Sequence, residues 1–579
     1  MRSLIIDIEC DGLDPTVIWC IVCKDIETEA VFQWGPGCID GEVKDFKAWA
    51  LEEAGILIGH NLICFDVPIL ARLLDYHVPL KNIVDTLVVS KVLDSSHKRH
   101  SLEAWGERLG YPKVEHDEWG FYSPEMLHRC TEDVHLNHKL YKVLIKNWAK
   151  FKVPKEVSRT EHRVAELCYQ IQTNGWAFNE RKAHDLLVTL SQRKAQLDSE
   201  LLGVFVSLPA FEREVEPKYK ADGTLSKVGL KYLDDHWTNV VGNFSKVTWP
   251  EPNFNSNPFI IRHLQRMGWV PKQFTNKGNP QLTEWVMEEI GKTIPEAAVL
   301  VEWDMVDRRI AMLQNWIGAS RKDGRIGSKV WPIGTWTHRA SHSNPNQAQV
   351  PANDKEYGRE MRGLWRSADG YVLLGCDASG IQLRVLANYM GDSDYAQEVA
   401  HGDVHTRHLE VIGIGTRDNA KTFLYAFLLG AGGARLGAIY GKGQKFGNQL
   451  KYNFLNKIEA LGRCKRKWEK ISKKGYIKGL DGRIVPVSDS YYVLAALLQN
   501  GETVIMRRAM ILLADRSKHL DWKLVGWIHD EIQMEVLPEH AEELGKICKQ
   551  SIIDAGTQLN LKCDLDAEYK IGQSWADTH

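Results

Sequence analysis

Apolar and polar positions change period several times along the chain. SLIIDIECDGL (residues 3–13) reads as an apolar strand carrying Asp7 and Glu9, two residues apart and therefore on one side. ILIGHNLICFDVPIL (56–70) is a second apolar stretch, with Asp66 near its end, and LHRCTEDVHLNHKLY (127–141) shifts to a helical pattern carrying Asp133. From Arg159 the pattern predicts a helix, a turn at Asn174-Gly175 and a long helix from about Glu180. Residues about 208–253 are rich in Lys, Gly, Pro and aromatics and have weak periodicity. Further on, YVLLGCD (371–377) is an apolar run ending in Asp377, and ASGIQLRVLANYM (378–390) is helical. That combination predicts a buried strand delivering a carboxylate at its end. LVGWIHDEIQMEV (524–536) predicts two short strands with His529-Asp530-Glu531 at the turn.

One helix organises the chemistry. TRDNAKTFLYAFLL runs from Thr416 to about Leu429, with Thr416 as N-cap, Asp418 in the first turn and glycines closing it. Arg417, Lys421 and Tyr425 recur at i, i+4 and i+8, so two cations and a ring share roughly one face. Eight helical residues rise about 12 Å, the length scale of an extended nucleoside triphosphate. By itself this is equally an amphipathic helix with a solvated basic edge. Asp377 and Asp530, delivered from two distant strand ends, favour the first reading. Hard Mg²⁺ ions take a few carboxylates plus substrate phosphates, and a pair of such ions can stabilise both attacking and leaving oxygens.

Length and composition narrow the setting. The 579 residues are 44% hydrophobic and 26% charged, which fits several globular domains. A net charge of -2 excludes a wholly basic nucleic-acid binder, so any DNA contact must use local basic surface. Residues 462–483 are a candidate, because Lys and Arg outnumber acids there. The eleven cysteines are scattered. Cys20 and Cys23 form a single CxxC inside an apolar strand pattern, which argues against zinc. No run approaches a membrane span, and no signal segment opens the chain, so the expected setting is a reducing cytoplasm.

CDASGIQLR (376–384), RDNAKTFLYAFLLGAG (417–432) and VGWIHDEIQ (525–533) resemble, in order and spacing, the three polymerase motifs of the family A DNA polymerases. Within that family the likeness is to replicative enzymes of short-tailed phages. The resemblance implies an α/β multidomain fold: an N-terminal ribonuclease-H-like 3′–5′ exonuclease domain, then a right-hand polymerase. The exonuclease domain would span 1–150 and the thumb 151–325, with a short insertion at about 208–253. The palm would comprise 326–390 and 495–579, and the fingers 391–494. The implied activity is template-directed DNA synthesis by two-metal nucleotidyl transfer from dNTPs to a primer 3′-hydroxyl, with 3′–5′ proofreading. Asp377, Asp530 and the Ala378 carbonyl would hold two Mg²⁺ ions, with Mn²⁺ as an alternative and Glu531 as an auxiliary catalytic acid. Arg417, Lys421, Tyr425, Gln382 and His405 would bind the nucleotide, Lys421 also serving catalysis. Arg339, Gln499 and His529 would contact DNA. Implied partners are primer–template DNA and dNTPs, with a phage helicase–primase as a further candidate. A host processivity factor is not expected, and the chain is expected to act as a monomer away from membranes.

Asp7, Glu9, Asp66 and Asp133 resemble the four metal-binding carboxylates of the exonuclease domain fused to these polymerases. Relatives place Tyr four residues before the last Asp; this chain has Arg129 there and His128 one residue earlier. The HxxxxD spacing of a sister branch makes His128 the expected general base, because neutral imidazole suits that task near pH 7. Relatives also carry Glu where Gln382 stands, a side chain that blocks the ribose 2′-hydroxyl. Gln keeps the length, loses the charge and is expected to bond Tyr425. Ala495 and Leu429 replace a family Asn and Tyr. Two other readings are a repair exonuclease with a degenerate polymerase half and a DNA-binding replisome scaffold. The intact Asp377, Asp530, Arg417 and Lys421 oppose the first, and two complete acidic sites oppose the second.

Overall fold

The computed structural model describes residues 1–224, 226, 242–275 and 277–579, which form two bodies: Met1–Asn179 with Ala319–His579, and Glu180–Gly318. The larger body is α/β and begins with a mixed sheet. In β1 (Arg2–Cys10), Leu4, Ile6 and Ile8 enter one apolar core with Phe46, Ile69 and Leu70. Ile5 enters the opposite core with Met126, Cys130 and Val134. Side chains alternate along a strand, so Asp7 and Glu9 share the face of Ile5. β2 (Ile18–Asp25) and β3 (Val31–Trp34) extend the sheet antiparallel; β4 (Ala54–Gly59) and β5 (Ile83–Asp85) extend it parallel, giving the order β3-β2-β1-β4-β5. Cys20 and Cys23 lie three apart in β2 and enter opposite cores, so they cannot share a metal ion.

Two helices bring further acids to this sheet. α1 (Asp66–Leu74) starts at Asp66, and α2 (Pro124–Phe151) carries Asp133 on its buried side. Ser123 caps α2 by accepting the Met126 N–H, with Pro124 in the first turn.

The second sheet contains β6 (Val372–Ala378), β7 (Trp522–Ile528), β8 (Glu531–Val536) and β9 (Ala567–Gly572), antiparallel in the order β7-β8-β6-β9. Every residue of the central β8 is buried. α3 (Lys155–Asn174) belongs to this core: Val164, Leu167, Cys168 and Ile171 form its apolar stripe and join Leu374, Trp527 and Ile532. α4 (Ile381–Met390) and α5 (Arg417–Leu428) enter the same core from the segment between the sheet strands. α6 (Val493–Arg516) has no polar face over most of its length and is buried almost throughout, as such a helix must be.

The 151–325 stretch is therefore not one body. Its first helix packs into the larger core, Gly175 turns the chain at φ 61°, and the smaller body starts only at Glu180. A Cβ at Gly175 would run into the backbone of Ile326 and Gly327. Among its described residues the smaller body holds the helices Glu180–Leu202, Asn257–Arg266 and Glu284–Gly291, all but the last residue of the helix Pro295–Ala319, and the hairpin Ala210–Val215 with Phe244–Thr248. Arg193 clamps Glu302 with two bonds of 2.6 and 2.8 Å between the first and last of these helices. That hairpin occupies the expected insertion, of which residues 225 and 227–241 lie outside the described residues.

Not all of the basic stretch 462–483 forms surface. Arg483 is fully buried, 2.6 Å from Glu161 on α3, and Glu161 also meets the buried Arg507 of α6 at 3.2 Å. Arg463, Arg466, Lys467 and Lys470 are exposed. Among the described residues no helix is long and apolar enough to cross a membrane.

Candidate active sites

The first site is made by strand register. β6 runs antiparallel to β8 so that Asp377 stands opposite Glu531, and the Ala378 N–H donates to the Asp530 carbonyl at 3.0 Å. Two acids 153 positions apart in sequence are thereby locked side by side. The turn between β7 and β8 needs a left-handed residue, supplied by His529 at φ 61°. Burial pushes the Asp377 carboxyl up to about 7, with Asp530 and Glu531 adding to the shift. Asp530 is also raised, again chiefly by burial. Buried acids that press on one another are stabilised by a divalent cation, so Asp377, Asp530 and the Ala378 carbonyl fit a hard-metal site. Glu531 is largely committed elsewhere: it accepts from Trp575 Nε1 at 2.7 Å and meets His579 Nδ1 at 2.9 Å.

α5 supplies the cationic face. Thr416 caps it, accepting the Asn419 N–H in a reciprocal capping pair, and the helix ends at Leu428, one residue inside the expected boundary. Lys421 is exposed, Tyr425 is half-buried, and the His405 ring lies 6.1 Å from the Tyr425 ring. His405 is held below the usual imidazole range by burial first, then by Arg417 and Lys421. Arg417 is engaged rather than open: it bonds Asp403 at 2.8 and 3.0 Å. The pair is on the surface, where a phosphate can exchange for the carboxylate.

Gln382 departs from expectation. Its Nε2 donates to Glu502 Oε2 at 2.6 Å instead of bonding Tyr425. Arg339 meets the same carboxylate through three bonds of 2.6 to 2.9 Å. Gln499 is nearby on α6 and accepts from the Thr337 hydroxyl at 3.0 Å. The His529 imidazole is pushed down to about 4, by burial first and then by Arg339 and His342, so it is neutral near pH 7. Glu502 was not singled out from the sequence. The available signal was an acid in a short polar stretch, QNGET, flanked on both sides by apolar residues.

The second site gathers Asp7, Glu9 and Asp133, whose oxygens lie within 4.8 Å of one another. Asp66 is buried beside them; burial pushes it up to about 8, with Asp85 and Glu9 contributing. Glu9 is raised to about 7 by burial against the pull of Arg129, and Asp7 is raised by burial, then Asp133 and Glu9. This set likewise fits divalent ions. Two cations missed as site residues approach it: Lys113 Nζ lies 2.5 Å from Asp133, and Arg129 Nε lies 3.3 Å from Glu9. His128 does not join the cluster. It is exposed and makes no hydrogen bond or ion pair among the described residues. The reason is helical phase: five residues along α2 turn the side chain about 140° away from Asp133.

The sequence matches the model of DNA polymerase family A over residues 233–577, more than half of the chain. It is 29% identical to the DNA-directed DNA polymerase of Enterobacteria phage T3 across 710 aligned positions, covering 100% of both chains. The DNA-directed DNA polymerase of Escherichia phage T7 gives the same identity and coverage. Among solved structures, the POL domain of Pol1 from M. smegmatis, in complex with DNA primer-template and dNTP, superposes with a TM-score of 0.80. It covers 99% of this chain and 96% of that chain at 15% identity, a likeness of fold. The chain therefore belongs to DNA polymerase family A, with the phage T3 and T7 polymerases among its relatives.

Proposed function

We propose that this DNA-directed DNA polymerase extends a primer 3′-hydroxyl with dNTPs on a DNA template and carries a separate 3′–5′ exonuclease site. The observation that carries the first part is the register that sets Asp377 against Glu531 and ties Ala378 to Asp530. Residues 1–150 are assigned to the exonuclease domain, 180–318 to the thumb, 326–390 and 495–579 to the palm, and 391–494 to the fingers.

Polymerases of this family use divalent metals, generally Mg²⁺. Asp377, Asp530 and the Ala378 carbonyl would hold them at the polymerase site, and Asp7, Glu9, Asp66 and Asp133 at the exonuclease site. When bound, such ions supply charge stabilisation to the attacking and leaving oxygens. The protein's own groups do the rest. Lys421, Arg417 (released from Asp403) and His405 receive the triphosphate along α5. Tyr425 and Gln382 border the sugar. Arg339, Gln499 and His529 face the primer end, where a neutral imidazole can donate or accept one hydrogen bond without repelling Arg339.

The test is a 5′-labelled primer–template with Mg²⁺, with and without dNTPs. Extension with dNTPs and shortening without them are expected. Asp530→Ala is expected to lose extension by about 10³-fold while keeping DNA binding and shortening. Extension unaffected by Asp530→Ala would overturn the polymerase assignment. No shortening at any divalent-metal concentration would overturn the exonuclease assignment.

A further inference from the structure

Glu502 has no role in the reading above, yet the primer side and the sugar side of the polymerase site both end on it. Its side chain is fully buried on α6. Arg339 reaches it from the segment before β6 with three bonds, and Gln382 reaches it from α4 with one bond of 2.6 Å. Its charge also acts on Tyr425 of α5, and Asp530 acts on it in turn. One carboxylate thus joins the groups assigned to primer and sugar. Buried ion pairs are a poor source of stability, since apolar replacements of the same volume often do as well. Their attested use is to fix one arrangement among several. A side chain that excludes a hydroxyl by its bulk must be held in one rotamer, and long amides such as Gln have many.

We propose that Glu502 is a positioning residue for sugar selection: it holds Gln382 across the deoxyribose position and, through Arg339, couples that hold to the seated primer end. The inference rests on the reading of Gln382 as the sugar filter.

The experiment is single-nucleotide insertion with matched dNTP and rNTP, compared as the ratio of their kcat/KM values. The variants are Gln382→Ala, Glu502→Gln, Glu502→Asp and the exchange Gln382→Glu with Glu502→Gln. The unaltered protein is expected to favour the deoxynucleotide. Gln382→Ala and Glu502→Gln are expected to lose that preference by about tenfold or more, mostly through a lower KM for the ribonucleotide. The exchange variant, which restores one acid and one amide across the same contact, is expected to recover most of it. Should Gln382→Ala keep the preference, the filter reading fails and the inference with it. Should Gln382→Ala lose the preference while Glu502→Gln lowers kcat equally for both sugars at an unchanged ratio, Glu502 is structural and the inference alone is overturned. If Glu502→Gln does not fold, Glu502→Asp decides: an unchanged ratio overturns the inference, and a reduced one supports it.

Discussion

At the scale of single residues, the acids behave as a charge problem that the fold leaves open. Asp7, Glu9 and Asp133 are held within 4.8 Å of one another, and among the described residues Lys113 and Arg129 are the cations paired with them. The Arg129 guanidinium also lies over the Trp119 ring, 4.7 Å from its centre, which fixes its approach. His128, by contrast, stands on the solvent side of α2. Excision is therefore expected to survive His128→Ala within about twofold and to fall by about 10²-fold or more in Asp7→Ala, measured as shortening of a single-stranded 3′ end. A large loss in His128→Ala would mean that bound DNA re-forms this end of α2. The four acids stood out in the sequence, Asp7 and Glu9 within an apolar strand pattern, Asp66 near the end of a second apolar stretch and Asp133 in a helical one. The HxxxxD spacing pointed to His128, although five helical residues already turn its side chain about 140° from Asp133.

At the scale of elements, α5 and its neighbours show how closely a local pattern fixes local structure. Thr416, Asn419 and the glycines after Leu429 set the ends of α5, and Ala420, Phe423, Leu424, Phe427 and Leu428 set its buried side, leaving Arg417 and Lys421 outward. What the pattern could not reveal is the packing around it. The helices Gly433–Ala438 and Gln444–Lys457 cross so closely that a Cβ on Gly447 would collide with the Gly433 carbonyl oxygen and the Gly437 nitrogen. Gly447→Ala is accordingly expected to destabilise the protein by about 1–3 kcal/mol, read from denaturant unfolding, and to weaken dNTP binding by displacing the end of α5. Unchanged stability would show that the two helices separate without cost.

At the scale of the whole molecule, both acidic sites store the same strain. Asp377 and Glu9 are raised to about 7 and Asp66 to about 8, above the ordinary range near 4, so the metal-free folded chain holds more protons than the unfolded chain between these limits. Stability from these groups is present at low pH and is lost as pH rises through about 7 to 8. Divalent ions compete with the protons. Apparent Mg²⁺ or Ca²⁺ affinity is expected to rise by up to about tenfold per pH unit for each proton displaced, up to about pH 8. In thermal unfolding, added metal should raise the midpoint more at pH 8 than at pH 6. Equal metal-induced shifts at both values would contradict this. Asp7→Asn combined with Asp377→Asn should flatten the profile.

The amino-acid order by itself determined the strand that carries Asp377 near its end and the one opening after Asp530, the caps of α5 and the break at Gly175. These depend on neighbours within a few positions, where side-chain periodicity and backbone preference act directly. Tertiary structure alone decided that α3 belongs to the larger core, that Arg483 is buried against Glu161, that Arg417 rests on Asp403, and that Gln382 and Arg339 share Glu502. Each of these is a contact between distant segments. A buried charge takes whichever partner packing places within bonding distance, and that choice is not written in the spacing of either residue.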